Sequence, residues 1–412
     1  MATPKLRFKE FDGDWDGLKI KDLVKSLDAG VSVNSEDIQP ESDQYSVLKT
    51  SCISSGYFEE GERKRVLLKV EIERLKERVL DDSILMSRMN TPLLVGRNAY
   101  VLKAPAKTFL PDRLWQLKVN KDRAVTRWLA FYLGSDQGLN QIRDLASGTS
   151  DSMKNITKPD VMNLNLFAPS KEEQTKIASF LSAVDEKISQ LTQKHELLSQ
   201  YKQGMMQKLF SQQIRFKADD GSEFGEWRNY KLKDIADIYD GTHQTPNYVE
   251  QGVPFYSVEH VTANDFSNTK FIAEDVYQAE LKRISLQKGD ILMTRIGDIG
   301  TSRLIDWDVR ASFYVSLALI KIKNEDNSSF IDQYIKSQNF QRELHERTIH
   351  VAFPKKINLG EIGLCMIELP CLEEQTKIAN FLSAIDQKIE KVVKQIEETK
   401  QWKKGLLQQM FV

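Results

Sequence analysis

Cysteine is scarce in this 412-residue chain: there are three, and no two are spaced as Cys-x-x-Cys. A disulfide framework or a zinc ribbon is therefore not expected, and a reducing compartment such as the cytoplasm fits. The longest strongly apolar run, residues 313–320, is far shorter than the ~20 residues of a transmembrane helix, and the N-terminal residues show no apolar signal sequence. We expect neither a secreted nor an integral membrane protein.

An excess of charge of one sign is also lacking, because 58 lysines and arginines nearly balance 59 aspartates and glutamates. The balance is uneven along the chain, since residues 62–127 hold 16 basic and 8 acidic side chains, a local net charge of +8. Such a stretch can follow a phosphate backbone, and the alternative is a solvated surface of paired charges. The length is that of two or three ordinary domains, and 41% hydrophobic residues suffice for folded cores.

Signatures of catalysis are absent as well. The sequence contains no G-x-x-x-x-G-K-[ST] loop, no G-x-S-x-G elbow and no Asn-Pro-Pro-aromatic or Asp-Pro-Pro-Tyr segment for adenine methylation. The Pro-Asp dipeptides at 111–112 and 159–160 are followed by no Glu-x-Lys before residue 210, which argues against a two-metal nuclease centre. We predict a chain that binds and does not catalyse.

An internal repeat organises the chain. Residues 172–210 and 373–411 align without a gap and are identical at 20 of 39 positions. Shorter matches precede them: Leu6–Lys9 with Ile214–Lys217, a tryptophan followed by Lys-[Leu/Ile]-Lys-Asp at the start of each copy, and Ile84–Arg88 with Ile291–Arg295. Two tandem copies are thus predicted, about 6–210 and 214–411, whose interiors diverge while their tails do not.

Each tail is predicted to be a long helix. Apolar residues recur every seven positions on two series over about five heptads, interrupted by His195 and Lys202 in the first copy and by Thr399 and Lys403 in the second. We expect the two helices to pair with each other as a coiled coil; the alternative is that each packs on its own globular unit. The interiors predict α+β domains, with strands such as 65–72, 115–119 and 290–294 and helices at 124–133 and 330–345.

Together these segments resemble the specificity subunits of type I DNA restriction–modification systems. The resemblance rests on P-x-x-E-E-Q-x-K-I-A-x-F-L-S-A-[VI]-D, at 169–185 and again at 370–386, on both I-L-M-[ST]-R segments, on the W-x-x-x-K-[IL]-K-D segments and on the D-G-T-H-x-T-P loop at 240–246. It covers essentially the whole chain. The first copy has no counterpart of the D-G-T-H-x-T-P loop, so its reading loop is not placed by this motif.

The resemblance implies an α+β fold with two target recognition domains, 1–170 and 214–370, separated by two helices, 171–213 and 371–412, that form an antiparallel coiled coil. It implies that each domain reads one half of a bipartite, asymmetric DNA site. Two methyltransferase subunits would dock on this frame and methylate adenine N6, and two motor-nuclease subunits would supply translocation and cleavage. S-adenosylmethionine, ATP and Mg²⁺ would then be held by those cytoplasmic partners, with no cofactor and no metal on this chain.

Residues of the loops and strand ends are the candidates for reading DNA, because arginines and amides can contact base edges and lysines hold phosphates. They are Arg88, Arg97, Lys103, Ser150, Lys154, Thr242, His243, Gln244, Thr245, Arg295 and Arg303. The duplicated Glu173, Gln174, Glu374 and Gln375 are candidates for binding the methyltransferase subunits, and stabilisation of a helix start is the equal alternative. The competing function is a coiled-coil adaptor with two protein-binding heads and no DNA specificity.

Overall fold

The computed structural model describes residues 3–148, 153–323 and 325–412. The chain divides into two compact units, one comprising 1–192 and 394–412 and the other comprising 193–393. Both units are α+β, as predicted. Among the described residues, no helix has the combined length and apolar composition that crossing a bilayer requires.

The first unit is built from short strands and helices followed by a long helix. Its strands are β1 (Asp16–Lys19), β2 (Val24–Ala29), β3 (Tyr45–Leu48), β4 (Arg63–Val66), β5 (Ser83–Ser87), β6 (Met89–Asn90), β7 (Asn98–Val101), β8 (Thr108–Phe109), β9 (Leu114–Val119), β10 (Lys154–Asn155) and β11 (Asn165–Ala168). Its helices are α1 (Ile20–Leu23), α2 (Lys69–Ile72), α3 (Thr126–Gly134), α4 (Asp136–Asp144), α5 (Lys158–Met162) and α6 (Lys171–Phe210), and α6 continues into the second unit. The main sheet is antiparallel in the order β2-β9-β5-β7, and β4-β3-β8 form a smaller sheet.

The second unit repeats this order of elements. Its strands are β12 (Arg228–Lys231), β13 (Ala236–Asp240), β14 (Tyr248–Val249), β15 (Val253–Tyr256), β16 (Lys270–Ile272), β17 (Ile291–Ile296), β18 (Asp298–Leu304), β19 (Ser312–Phe313), β20 (Leu317–Ile322) and β21 (Met366–Leu369). Its helices are α7 (Leu232–Ile235), α8 (Val258–Ala263), α9 (Glu274–Leu281), α10 (Ser328–Ile335), α11 (Gln338–Arg347), α12 (Leu359–Leu364) and α13 (Leu372–Met410). The sheet β13-β20-β17-β18 corresponds strand by strand to β2-β9-β5-β7.

The duplicated Lys-[Leu/Ile]-Lys-Asp segments form a short helical turn at the start of each unit. In the first unit the Asp22 carboxylate accepts a hydrogen bond from the Lys19 backbone N–H at 2.8 Å, and in the second Asp234 accepts one from Lys231 at 3.0 Å. A carboxylate at this position satisfies a donor that the helix leaves unpaired. The turn leads directly into the edge strand of each main sheet.

The two long helices are confirmed, and both units contain parts of each. In the first unit, Leu406 and Met410 near the end of α13 belong to the same buried cluster as Ile177 and Leu181 near the start of α6. In the second unit, Leu209 and Phe210 at the end of α6 share a core with residues at the start of α13, namely Ile378 and Leu382. The start of each helix therefore packs beside the end of the other, which is the predicted antiparallel order.

The lysines that interrupt the heptads form ion pairs across this helix contact. In the first unit Lys403 Nζ lies 2.5 Å from Asp185 Oδ1, and in the second Lys202 Nζ lies 2.6 Å from Asp386 Oδ1. Both aspartates come from the duplicated F-L-S-A-[VI]-D segment. A lysine at a seam position that meets a carboxylate of the facing helix fixes the register of the pair.

Two predictions of local structure differ from the fold. Residues 65–72 are not one strand, because β4 ends at Val66 and α2 begins at Lys69. Leu68, between these two elements, is 60% exposed, and Val70, within α2, is 62% exposed. The predicted helix 330–345 is two helices, since α10 ends at Ile335 and Ser337 caps α11 by accepting a hydrogen bond from the Phe340 N–H. An apolar run or a period alone does not distinguish these cases.

Candidate nucleic-acid interface

The two matching arginines mark the same point in each unit. Arg88 directly follows β5, and Arg295 is the corresponding residue in β17. In both units the arginine carbonyl accepts a hydrogen bond from a later isoleucine, from the Ile156 N–H at 3.0 Å and from the Ile357 N–H at 3.0 Å. Each isoleucine follows a loop, so each arginine joins the end of a central strand to the base of a loop.

In the second unit the Arg295 side chain is a positioning group rather than an exposed base reader. The residue is only 9% exposed, and its guanidinium donates to the Val315 carbonyl at 2.7 Å and to the Ile357 carbonyl at 3.2 Å. Burial lowers the pKa of Arg295, and the Asp240 carboxylate, 3.8 Å away, opposes that shift. Arg295 therefore ties together two loops at this end of the sheet, a role that the sequence did not indicate.

One of these loops is the polar segment Asp240–Pro246. Gly241 packs so closely on Phe313 that a Cβ atom there would lie 2.0 Å from the Phe313 carbonyl oxygen, which explains the glycine. The Asp240 carboxylate lies 2.9 Å from His243 Nε2 and accepts a hydrogen bond from Arg283 Nη1 at 3.2 Å. Asp240, the first residue of the loop, thus holds the loop through its contacts with His243 and Arg283.

The predicted reading residues of this loop lie together and face outward. His243, Gln244 and Thr245 are exposed, and Thr242 is half-buried because its backbone pairs with Phe313. The Thr245 hydroxyl lies 3.3 Å from the Tyr314 hydroxyl. An amide and a hydroxyl on a fixed loop can form directional hydrogen bonds with base edges.

The first unit lacks this motif in its sequence, but it repeats the close glycine contact at which the loop of the second unit begins. A Cβ atom at Gly30 would lie 1.6 Å from the Leu110 carbonyl oxygen, as one at Gly241 would meet Phe313. Gly30 follows β2 as Gly241 follows β13. The first unit has one more residue than the second between the helical turn and the glycine, and β2 accommodates it in a bulge between Val24 and Ser26. Gly30 thus begins a loop at the same place in the sheet as Gly241 does.

Arg88 is more available than Arg295. It is half-buried with its guanidinium 5.9 Å from the centre of the Trp115 ring, and its Nε atom has no hydrogen-bond partner among the described residues. The position that corresponds to Asp240 is Ala29, so no carboxylate neutralises it from there. Arg88 keeps the properties of a candidate DNA contact.

One further described candidate of the first unit lies just before Ile156. Lys154 lies in β10, which pairs with β6, and its ammonium donates to the Gly148 carbonyl at 2.9 Å. Ser150 lies outside the described residues. The loop base is a bridge between Ser147 and Asn155.

The matching loop of the second unit was not identified from the sequence. It comprises His350–Lys355 and is closed by a β-bridge between Ile349 and Lys356. It leads into Ile357, as the residues after Ser147 in the first unit lead into Ile156. Its sequence is His-Val-Ala-Phe-Pro-Lys, whereas residues 148–154 read Gly-Thr-Ser-Asp-Ser-Met-Lys. The signal that could have found it is the pair of lysines after an apolar stretch in a region otherwise rich in polar residues.

Two of the predicted residues, Lys103 and Arg303, are not brought to this end of the sheets, whereas Arg97 lies beside Arg88, with its carbonyl accepting a hydrogen bond from the Ser87 N–H at 2.9 Å. Lys103 follows β7, whose last residue, Val101, pairs with the first residue of β5. It therefore lies at the opposite end of the strands from Arg88. Arg303 lies within β18, with Asp306 and Glu390 both at 3.8 Å. Arg97 lines a cavity of about 300 Å³ together with residues of both long helices, and burial, reinforced by the Arg143 charge, lowers the pKa of its guanidinium.

The duplicated acids, which were predicted to bind the methyltransferase subunits, are buried in the structure and form ion pairs within their own units. Glu173 is 1% exposed and accepts hydrogen bonds from Arg7 Nε and Nη2 at 2.8 and 2.7 Å. Glu374 is fully buried and accepts them from Arg215 Nε and Nη2 at 3.0 and 2.6 Å. The arginines come from the matched Leu6–Lys9 and Ile214–Lys217 segments. In each copy, an ion pair therefore binds the opening segment to the start of the long helix.

The glutamines beside them act in the same way. Gln174 Oε1 accepts from the Val125 N–H at 2.9 Å, and Gln375 Oε1 accepts from the Asn327 N–H at 3.0 Å. Both amides also donate at 3.0 Å to the carbonyl of the proline before the long helix. These side chains therefore fasten the starts of α3 and α10 to the long helices.

The comparisons with known proteins agree with this organisation. The family model of the type I restriction modification DNA specificity domain matches residues 12–200 and again 225–401. The chain is similar to the specificity subunit of the type I restriction enzyme MjaVIII of Methanocaldococcus jannaschii, with 26% identity covering 97% of this chain and 94% of the relative. A putative MjaX specificity subunit of the same organism is 25% identical over 98% of this chain and 94% of its own.

A solved structure shows the same fold. The crystal structure of the S subunit of a type I restriction–modification system from M. genitalium superposes with a TM-score of 0.65 at 20% sequence identity, covering 100% of this chain and 99% of that one.

Proposed function

Because this chain belongs to the type I restriction modification DNA specificity family, we propose that it is the DNA-reading subunit of a type I restriction–modification complex and that each unit reads one half of a bipartite site. The observation that carries the proposal is that the family domain occurs twice, once for each set of loops at the end of an arginine-bearing strand. In this role the chain is a non-catalytic subunit of the complex.

The readers we propose are the loops at these strand ends. In the second unit they are the polar loop 240–246 and the loop 350–355, which Arg295 connects through its guanidinium. In the first unit they are the loop that starts at Gly30 and the loop after Ser147, with Arg88 between them. Hydroxyl, amide and guanidinium groups would select bases, and lysines would hold phosphates.

The partners we propose are two methyltransferase subunits, which would bring S-adenosylmethionine and methylate adenine N6, and two restriction subunits with ATP and Mg²⁺, all in the cytoplasm. One solved relative comes from work on complex assembly and conformational transition of the type I system; it superposes with a TM-score of 0.54. Since Glu173 and Glu374 are buried, docking would use exposed residues of the units and of the long helices. We further propose that the length of these helices sets the spacer between the half-sites.

The alternative function is an adaptor that binds proteins at both units. To separate the two, the chain would be co-expressed with its methyltransferase subunits in a host without methylation, and methylated adenines would be mapped by long-read sequencing. We expect one bipartite motif, bound in vitro with an affinity that falls as salt rises. A complex that assembles but methylates no defined motif, and binds all DNA equally, would favour the adaptor.

A further inference from the structure

The loop His350–Lys355 exposes two apolar side chains almost completely. Val351 is 98% exposed and Phe353 is 104% exposed, more than any other large hydrophobic residue of the described chain. Burying apolar side chains of this size is favourable, so folding alone gives no reason to leave both in water. Exposed apolar side chains on a fixed loop are typical of an interaction surface.

This loop is anchored at both of its ends. The Ile349 N–H donates to the Lys356 carbonyl at 2.8 Å, and the Gly297 N–H donates to the Lys355 carbonyl at 2.8 Å. Directly after the loop, Ile357 is held by both the carbonyl and the guanidinium of Arg295. The tip is therefore presented from the rigid end of β17, and Arg295 connects it to the polar reading loop 240–246.

The charges around the tip are positive. Lys355 and Lys356 are exposed, and neither ammonium has a carboxylate partner among the residues that the structure describes. His350 lies beside His345, with ring centroids 4.4 Å apart, and no acid lies within the loop itself. An apolar tip flanked by free ammonium groups matches nucleic acid, whose stacked bases are apolar and whose backbone is anionic.

We propose that Phe353, with Val351 beside it, inserts at or stacks on a base step of the DNA half-site that the second unit reads, while Lys355 and Lys356 bind the flanking phosphates. Apolar side chains inserted between base steps unstack and bend the duplex, which adds specificity for steps that deform easily. The matching loop of the first unit has no aromatic residue in its sequence, so this contact belongs to one half-site only. The inference rests on the proposed DNA-reading function and deepens it.

The test uses the full complex with methyltransferase subunits and a duplex that carries its mapped motif. 2-Aminopurine is placed at successive positions in and beside each half-site, and its fluorescence is compared between the free and the bound duplex. With wild-type protein we expect a fluorescence change at a step of the second half-site. Phe353→Ala should abolish that change and weaken binding of the motif by about 5- to 150-fold, the range for the loss of one base stack, whereas Phe353→Trp should retain both.

Two controls separate the contact from general effects. Leu102→Ala truncates a side chain that is 70% exposed just after β7, at the end of the first unit's sheet opposite Arg88. It should change neither the fluorescence nor the affinity for the motif. Lys355→Ala with Lys356→Ala should weaken motif and random DNA alike and flatten the salt dependence by a slope of about two. Since Phe353 is fully exposed, thermal unfolding of Phe353→Ala should match that of wild type.

The outcomes distinguish this inference from the function on which it rests. If wild-type complex binds its motif but Phe353→Ala leaves affinity and fluorescence unchanged, the insertion is refuted and the reading function stands. If Phe353→Ala instead loses the methyltransferase subunits, the tip is a protein contact and the inference is again refuted. If wild type shows no motif at all, the proposed function fails first.

Discussion

The buried pair of Arg215 with Glu374 should be among the strongest single supports of the second unit. Glu374 is fully buried and accepts three hydrogen bonds, two from Arg215 and one from the Trp227 indole N–H at 3.1 Å. Arg215→Ala would leave this carboxylate with the indole alone. Removing one partner of a buried ion pair costs about 3–5 kcal/mol, because the remaining charge is uncompensated.

Hydrogen exchange followed by mass spectrometry is the appropriate assay, since a chain of two units need not unfold in one step. Peptides that cover 214–217 and the first turns of α13 should exchange faster in Arg215→Ala by a factor of roughly 150 to 5,000, if local opening limits exchange. The first unit offers the matched control. Arg7→Ala removes the equivalent partner of Glu173 and should accelerate peptides of the first unit only.

A double substitution tests the cause. Arg215→Met with Glu374→Met removes both charges at similar volume, and buried pairs replaced in this way often lose little stability. We expect the double variant to exchange more slowly than Arg215→Ala. If Arg215→Ala changes exchange by less than tenfold, or if the double variant is worse than the single one, the ion pair does not hold the opening segment to the tail and the reasoning is refuted.

Further predictions concern the readers and the helices. Exchanging residues 6–170 for the matching domain of a relative should change one half of the methylated motif and leave the other, and a change in both halves would refute two independent readers. Gln244→Ala should weaken motif binding by about 1–3 kcal/mol without affecting random DNA; equal losses would indicate a phosphate contact. Lys202→Met with Asp386→Leu should leave the helix pair folded by circular dichroism, whereas Lys202→Met alone should lower the melting temperature because the Asp386 carboxylate loses its cationic partner and keeps only the hydrogen bond from the Gln333 amide. Inserting four residues after Lys194, about 6 Å of helix, should lengthen the spacer of the motif by one or two base pairs, and an unaltered spacer with retained methylation would show that the helices do not set it.

The long helices and the repeat were predictable because their signals are local and periodic. A heptad pattern is visible wherever it occurs, and the helices begin at Lys171 and Leu372, within one residue of the expected bounds. The partners of the interrupting lysines were not predictable in the same way. Lys202 meets Asp386 across 184 positions of sequence, and only the packing of two helices brings them together.

The duplicated Glu-Gln pair shows the limit of reading a repeat. Duplication indicated that these residues matter, and their place between domain and helix suggested an outer surface. Their burial depends on Arg7 and Arg215, which lie 166 and 159 positions away, and no local pattern reports such a distance. The loop that begins at Gly30 carries no such signal either, because only its glycine matches the polar loop of the second unit and a bulged residue in β2 shifts even that glycine by one position.

The construction of the strand ends explains how two such different loops can share one frame. In both units the loop base is held through backbone groups, by the arginine carbonyl that accepts from Ile156 or from Ile357. A backbone hydrogen bond does not depend on the side chains within the loop. The residues between the anchors can therefore change from Gly-Thr-Ser-Asp-Ser-Met-Lys to His-Val-Ala-Phe-Pro-Lys without loss of the anchors. The contacts that hold these loops are buried or made by the backbone, and the variable side chains face outward. Each unit can therefore come to read a different DNA sequence while α6 and α13 stay unchanged.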